Sequence, residues 1–317
     1  MDNSPTQYRI GFLGCPSRPE VAWNWEHLRA LKDLGFNTIQ LNIAWGARPA
    51  DEPLNLEDVV QLPAEFEQRF PQVVPLLSNP DPRFVAARRA ALRDRAALCR
   101  AEGLRTIFHF GAPYNAHSRY GDAPPNCLMD ELTAERYVEM LKIFAAQFPD
   151  VDDLLLYTYD QDAWLCDEFG PCPRCAGVPL HERVTPFVNR LAQTWVGSHP
   201  GARLWWEPWE LSAGETFRCV ERLDNATVGL ALHSNVAEVM ATMPVDRWLR
   251  LMSQQARERN IPTVVEHFLG GPSEELEPYT NLSAPLVTWR ALQAITRLPV
   301  NGIKEYYGLV PDQNDPN

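Results

Sequence analysis

Along the chain, short runs of β-branched, aliphatic and aromatic residues recur. Each is followed by a polar or Gly/Pro-rich segment and then by a longer stretch with apolar residues at three- and four-residue spacing. The short runs predict strands at Arg9–Gly14, Thr38–Trp45, Arg105–Phe110, Asp153–Tyr159, Ala202–Glu207, Thr227–His233, Pro262–His267 and Gly302–Tyr307. The longer stretches predict helices at Trp25–Leu34, Arg83–Ala101, Ala134–Gln147, Glu182–Val196, Val245–Arg259 and Ala284–Thr296. Leu34-Gly35-Phe36-Asn37 and Ala101-Glu102-Gly103-Leu104 put a glycine just past the last periodic residue, directly before a strand, as a helix stop requires. Strands that alternate with helices imply a parallel sheet, and eight such units close it. The fold class expected is therefore α/β, a (β/α)8 TIM barrel. An open dinucleotide-binding sheet is disfavoured, because no Gly-x-Gly-x-x-Gly follows the first strand.

Two departures from a regular barrel stand out. The connection after strand two, residues 46–82, is long and rich in proline and acids, and long loops inside a compact domain are usually functional. The chain also ends ten residues after Tyr307, so the expectation is a barrel that lacks its last helix. No repeat, low-complexity tract or flexible linker breaks the pattern, which makes residues 1–317 a single barrel domain with an insertion at about 46–82 and a cysteine-rich loop at about 163–180.

Composition narrows the function. With 45% hydrophobic and 22% charged residues the chain has the means to bury a large core. Its charge sum, 29 − 41 = −12, speaks against nucleic acid and anionic membranes as partners, since phosphates demand a basic face. No apolar run reaches the roughly 18 residues of a membrane span. Residues 1–7 show neither the basic nor the apolar region of a signal peptide, so with Met1 as the start the expected location is the cytoplasm. The sequence carries no mark of oligomeric state.

In such a barrel the active site forms at the carboxyl ends of the strands and on the loops that follow. Acids, imidazoles, amides and aromatics gather at those positions here. They are Asn42 and Trp45 at the end of strand two, His109 and Tyr114 at or after the end of strand three, Asp160, Asp162 and Trp164 after strand four, Glu207 and Trp209 at or after the end of strand five, His233 at the end of strand six, Glu266 and His267 on strand seven, and Glu305 and Tyr306 on strand eight. That set suits a carbohydrate substrate. Aromatic faces stack on sugar rings, amides and imidazoles bond hydroxyls, and glycoside hydrolysis needs two carboxyl groups. Asp160 and Asp162 alternate on a strand and share a face, where like charges raise one pKa, as a general acid requires. Glu207 and Glu266 each end an apolar strand, where an unpaired charge is costly, and are the nucleophile or base candidates. Trp205 and Trp206 are consecutive and point opposite ways, one of them into the layer between strand and helix.

Cys166, Cys172 and Cys175 lie close together in the loop after strand four, and Cys172-Pro-Arg-Cys175 has the spacing of a zinc knuckle. His181 or Cys127 can supply a fourth ligand, and free thiols or a disulfide are the alternatives. A filled thiolate site staples a loop rather than catalyses, so no cofactor is expected for catalysis and a structural zinc is. An acid at the end of strand four, the cysteine loop and a helix such as Val184–Gln193 together resemble the α-glucuronidase-like and hexosaminidase-like glycoside hydrolase barrels. The resemblance implies that Asp160 or Asp162 is the proton donor. It departs from the hexosaminidase pattern of adjacent acids, because Gln161 intervenes, and the Asn-Glu pair of the large retaining clan is missing from strand four.

The first functional expectation is thus a glycosidase acting on a terminal sugar or uronic acid. The second is a divalent-metal-dependent sugar isomerase or epimerase with Glu207, His233, Glu266 and Glu305 as ligands. The third is a carbohydrate-binding barrel without turnover.

Overall fold

A computed structural model describes residues 7–14, 22–43, 52–53, 55–69, 82–113, 126–158, 165–209, 211–234, 245–267 and 285–306. Eight strands, β1 (Tyr8–Phe12), β2 (Thr38–Gln40), β3 (Arg105–Gly111), β4 (Asp153–Tyr157), β5 (Leu204–Glu207), β6 (Val228–Ser234), β7 (Thr263–His267) and β8 (Gly302–Glu305), pair in parallel and in chain order around a closed barrel. Helices fill every connection: α1 (Trp25–Asp33), then α2 (Leu56–Val59), α3 (Ala64–Glu67) and α4 (Pro82–Ala101) after β2, then α5 (Glu131–Gln147), α6 (Leu180–Ser198), α7 (Ala213–Val220), α8 (Arg247–Glu258) and α9 (Pro285–Ile295). The (β/α)8 barrel expected from periodicity is the fold found.

Local chemistry sets the helix ends. The Asn24 side chain accepts from the His27 amide at 2.8 Å and starts α1. Gly35, at φ +100°, and Gly103, at φ +70°, turn the chain out of α1 and α4 as the stop signals predict. Three short helices escaped the periodicity. Of these, α7 carries a legible signal, a reciprocal Ser212/Glu215 capping box. Strand β2 is the main boundary error: three residues rather than the run to Trp45, whose end lies outside the described residues.

Two apolar layers result. Inside the barrel, Ile10, Ile107, Leu155, Trp205, Ala231 and Val264 pack together with Tyr8. Outside it, Trp206 joins the large core between strands and helices, its indole N–H donating to Thr158 Oγ1 at 3.1 Å. The opposite directions expected for the two tryptophans follow from the pleat. Trp205 fits the interior because β6 offers no side chain at Gly229: a Cβ there would stand 2.4 Å from the indole ring.

Gly229→Ala is accordingly expected to overpack the barrel and lose about 1–3 kcal/mol of stability, read as a lower urea midpoint at unchanged slope. Gly214→Ala, in α7 with nothing within 4 Å of the added carbon, is expected to be neutral or to gain up to about 1 kcal/mol. Equal midpoints for the two variants would contradict the packing described.

Candidate active site

The site grows out of strand alternation. Moving two residues along each strand from the interior apolar layer leads to the next layer toward the carboxyl rim. Ile10 gives way to Phe12, Ile107 to His109, Leu155 to Tyr157, Trp205 to Glu207, Ala231 to His233 and Val264 to Glu266. On β8 the same step from Gly302 reaches Lys304. Register brings neighbours together: Tyr157 lies beside Glu207, His233 beside Glu266, and Glu266 beside Lys304. Glu266 and Lys304 are fully buried, and Glu207 is nearly so. Charges removed from water this completely must be paired.

Glu207 is held by two imidazoles. His233 Nε2 stands 3.0 Å from Oε1 and His109 Nε2 3.2 Å from Oε2. Burial works to raise the Glu207 carboxyl, but the hydrogen bonds and charges of His109 and His233 together outweigh it and hold the group well below the usual carboxylate range. Burial pushes the His109 imidazole down, while the Glu207 carboxylate beside it works in the opposite direction. Glu266 goes the other way. Burial first, and then the Glu207 charge, push it up to about 7, although Lys304 Nζ donates to its Oε2 at 3.1 Å. Among the described residues its Oε1 is buried without a hydrogen-bond partner. Ligating atoms of Glu207, His233 and Glu266 all lie within 4.8 Å of one another, close enough to share a proton relay or a divalent ion.

An aromatic wall borders this centre. The Trp209 ring meets His233 edge-on at 4.2 Å and lies parallel to Tyr306 at 5.7 Å, with an interplanar angle of 2°. Lys304 Nζ sits 5.8 Å from the Tyr306 centroid and donates to the Glu305 carbonyl at 3.2 Å.

Other expected site residues are placed differently. Asn42 donates to the His109 carbonyl at 2.7 Å and accepts from the His109 amide at 2.9 Å, bracing β3 beneath the site. His267 and Glu305 follow Glu266 and Lys304 by one residue, so the pleat turns them to the opposite face. His267 is buried, lies 3.4 Å from Ser234 Oγ, and is pushed down to about 4 by burial. Trp45, Tyr114, Asp160, Asp162 and Trp164 lie outside the described residues. Lys304 was not anticipated. The reasoning that singled out Glu207 and Glu266, a charge inside an apolar strand, applies to it equally.

A second cluster lies apart from these carboxyls. Cys166, Cys172 and Cys175 come together with Cys127, their sulfurs mutually within 4.8 Å. His181 is not the fourth member; its Nε2 is 3.9 Å from Glu182.

No protein-family model matches the chain, and no curated protein does. Solved structures share its fold. A GH138 enzyme targeting pectin rhamnogalacturonan II superposes with a TM-score of 0.61 at 11% identity, over 96% of this chain and 43% of its own. A family 5 xyloglucanase from Paenibacillus pabuli superposes with a TM-score of 0.54 at 11% identity, over 98% of this chain and 94% of its own. The chain therefore spans less than half of the GH138 enzyme and nearly all of the xyloglucanase. At such identities the likeness establishes the barrel.

Lys304→Met tests the electrostatics. Glu266 is raised from an ordinary 4.5 to about 7, so its favourable contribution is full below the ordinary value and is lost as pH rises through about 7. Glu207, being lowered, contributes above its ordinary 4.5 and loses that contribution as pH falls through its depressed folded value. Without Lys304 the Glu266 carboxyl rises further. The variant should lose about 3–5 kcal/mol where Glu266 must ionise, near pH 8, and clearly less near pH 5. Urea midpoints that fall equally at both pH values would show that Lys304 does not support the carboxylate.

Proposed function

We propose that the chain is a glycoside hydrolase with Glu266 as proton donor and Glu207 as nucleophile, acting on a saccharide at the barrel mouth. The observation that carries this reading is the carboxyl pair itself. Two buried acids approach within 4.8 Å, and their surroundings drive protonation in opposite directions. That separation of roles is what acid/base assignment in a hydrolase requires.

In the first step the Glu266 carboxyl gives its proton to the glycosidic oxygen as the C–O bond breaks, and the Glu207 carboxylate attacks the anomeric carbon. Glu266, now ionised, then takes a proton from water, whose oxygen displaces Glu207 and restores both groups. Retaining enzymes hold their carboxyls about 5–5.5 Å apart, and inverting ones about 6.5–9.5 Å to admit water between them. A nearest oxygen–oxygen approach within 4.8 Å suits the shorter of these separations, so the reading adopted is double displacement. His109 and His233 keep Glu207 ionised and aimed. The parallel Trp209 and Tyr306 rings bring to the centre the kind of aromatic surface on which sugar rings stack. The hydrolase barrels of the same fold agree with a carbohydrate substrate.

A second reading has its own observation. Glu207, His233 and Glu266 can together hold a divalent ion, as a sugar isomerase or epimerase would need. Activity that a chelator abolishes and Mn²⁺ restores would select it.

The hydrolase reading is tested on aryl glycosides and uronides. Activity is expected to fall as pH rises through about 7, when Glu266 loses its proton. Glu266→Gln should lose about 10²–10⁴-fold on substrates with poor leaving groups, keep most of its rate of bond cleavage on activated ones, and lose the alkaline limb. Glu207→Gln should lose both classes, and a 2-deoxy-2-fluoro glycoside should label the Glu207 peptide. If Asp160→Asn or Asp162→Asn gives the leaving-group pattern instead, the donor role belongs to strand four. An inverted product would overturn the double displacement.

A further inference from the structure

The cysteine cluster joins two connections on the carboxyl side of the barrel. Cys127 belongs to the segment between β3 and α5, whereas Cys166, Cys172 and Cys175 belong to the segment between β4 and α6. All four thiols are free and buried. Among the described residues they form a buried cluster of their own, separate from the main core, which is not how cysteine behaves as ordinary core.

The spacing suits a tetrahedral thiolate site. Zinc–sulfur bonds of about 2.3 Å give a regular tetrahedron with edges of about 3.8 Å. Cys127 Sγ and Cys172 Sγ stand 3.7 Å apart. The backbone is shaped for thiolates as well. The Cys127 sulfur accepts from the amide of Met129, and the Cys172 sulfur from the amides of Arg174 and Cys175. Around the cluster, Ala176 N bonds the Cys172 carbonyl at 3.0 Å, and Gly177, at φ +76°, carries the chain on to α6. Arg183 donates to the Cys166 carbonyl at 2.9 Å, and Arg174 reaches Asp130 on the other segment at 2.8 Å. Both guanidiniums lie near a centre that carries net negative charge once four thiolates surround a divalent ion.

We propose that Cys127, Cys166, Cys172 and Cys175 form a structural tetrathiolate zinc site that clamps the β3–α5 connection to the β4–α6 connection. Binding releases the thiol protons to solvent and forms four Zn–S bonds. Four protein ligands leave no open position, so the ion holds shape and takes no part in catalysis. Tetrahedral sulfur selects zinc over Mg²⁺, Ca²⁺ or Mn²⁺, which prefer oxygen. The clamp has a functional address: residues 159–164, with Asp160, Asp162 and Trp164, run between the end of β4 and Cys166. The ion fixes the far end of that segment.

The test is elemental analysis of the full chain purified without added chelator. One zinc per chain is expected, released on titration with a mercurial and detected with an indicator dye. Reconstitution of the apo protein with Co²⁺ should give the sulfur-to-metal charge transfer and strong visible bands of a tetrahedral thiolate site, which a carboxylate–imidazole site in the barrel mouth cannot produce. Cys127→Ser and Cys172→Ser should lose the ion, while Cys99→Ala, a buried thiol elsewhere, keeps it. If the serine variants fail to fold, the cobalt spectrum of the wild type still decides. A metal-free protein with free or disulfide-linked cysteines would overturn the proposal, as would stoichiometric iron or zinc retained by Cys127→Ser.

Discussion

The rim layer of this barrel is governed by the cost of burying charge. Glu207, Glu266 and Lys304 leave water almost completely, and each ion taken out of water costs several kcal/mol unless partners replace the hydration. The structure meets this cost in two ways. Glu207 is matched by donors, His109 and His233, each facing a different carboxylate oxygen. Lys304 is matched by Glu266 and by the Glu305 carbonyl. With Glu207 ionised and Lys304 charged the two cancel. A proton on Glu266 spares the layer a second buried negative charge, which is why its carboxyl is driven upward. The asymmetry between the two acids follows from their positions in the barrel and needs no special conformation.

The connections above this layer are tied down by buried polar groups as well as by apolar side chains such as Leu56, Val59 and Leu165. Between β2 and α4, Asp58 pairs with Arg88 at 3.1 Å with both side chains buried, and Glu52 pairs with Arg95. Glu57, pushed up by burial, accepts from the Tyr137 hydroxyl at 2.9 Å. Asn55 Oδ1 receives the Gly111 amide at 2.7 Å, so this connection is bonded directly to the end of β3. The next two connections meet at the four cysteines. Buried pairs of this kind add little net stability, but breaking one is costly, so they favour one arrangement of the loops over its alternatives. A site that must hold two carboxyls within a fraction of an ångström benefits from that selectivity.

The fold was legible because it depends on what a sequence displays directly. Eight short apolar runs, six period-3.6 stretches between them and the stop glycines Gly35 and Gly103 repeat one alternation along the chain, so an error at one end, as at β2, does not change the topology. Glu207 and Glu266 were legible for a related reason: a charge at the end of an apolar run stands out. Lys304 meets the same criterion, but a lysine stem is commonly buried with its ammonium in water, so the sequence alone does not distinguish it from a surface residue. Asn42 looked like a hydroxyl-binding amide, but its geometry is set by a partner 67 residues away, the backbone of His109. His267 and Glu305 lay one residue off the right parity, and parity is fixed only when the interior layer is known. The fourth cysteine was a choice between Cys127 and His181 that only the meeting of two distant loops decides.

The same charge accounting bears on whether the barrel mouth works by proton transfer or through a metal. A divalent ion bound by Glu207, His233 and Glu266 would take Glu266 as an ionised ligand, and Lys304 Nζ already stands 3.1 Å from that carboxylate. Two unit charges about 4 Å apart interact by roughly 4 kcal/mol at an effective dielectric of about 20, and a divalent ion doubles the repulsion. The lysine is fully buried, with Nζ 5.9 Å from the Phe12 ring centroid and 5.8 Å from that of Tyr306. Lys304 therefore acts as the resident cation of the layer. It suits a carboxyl that alternates between protonated and ionised states, because the ammonium supports the ionised state without binding it irreversibly. On the proposed hydrolase reading, proton transfer at Glu266 uses this charge arrangement directly, whereas an ion on Glu207, His233 and Glu266 would stand beside the Lys304 ammonium.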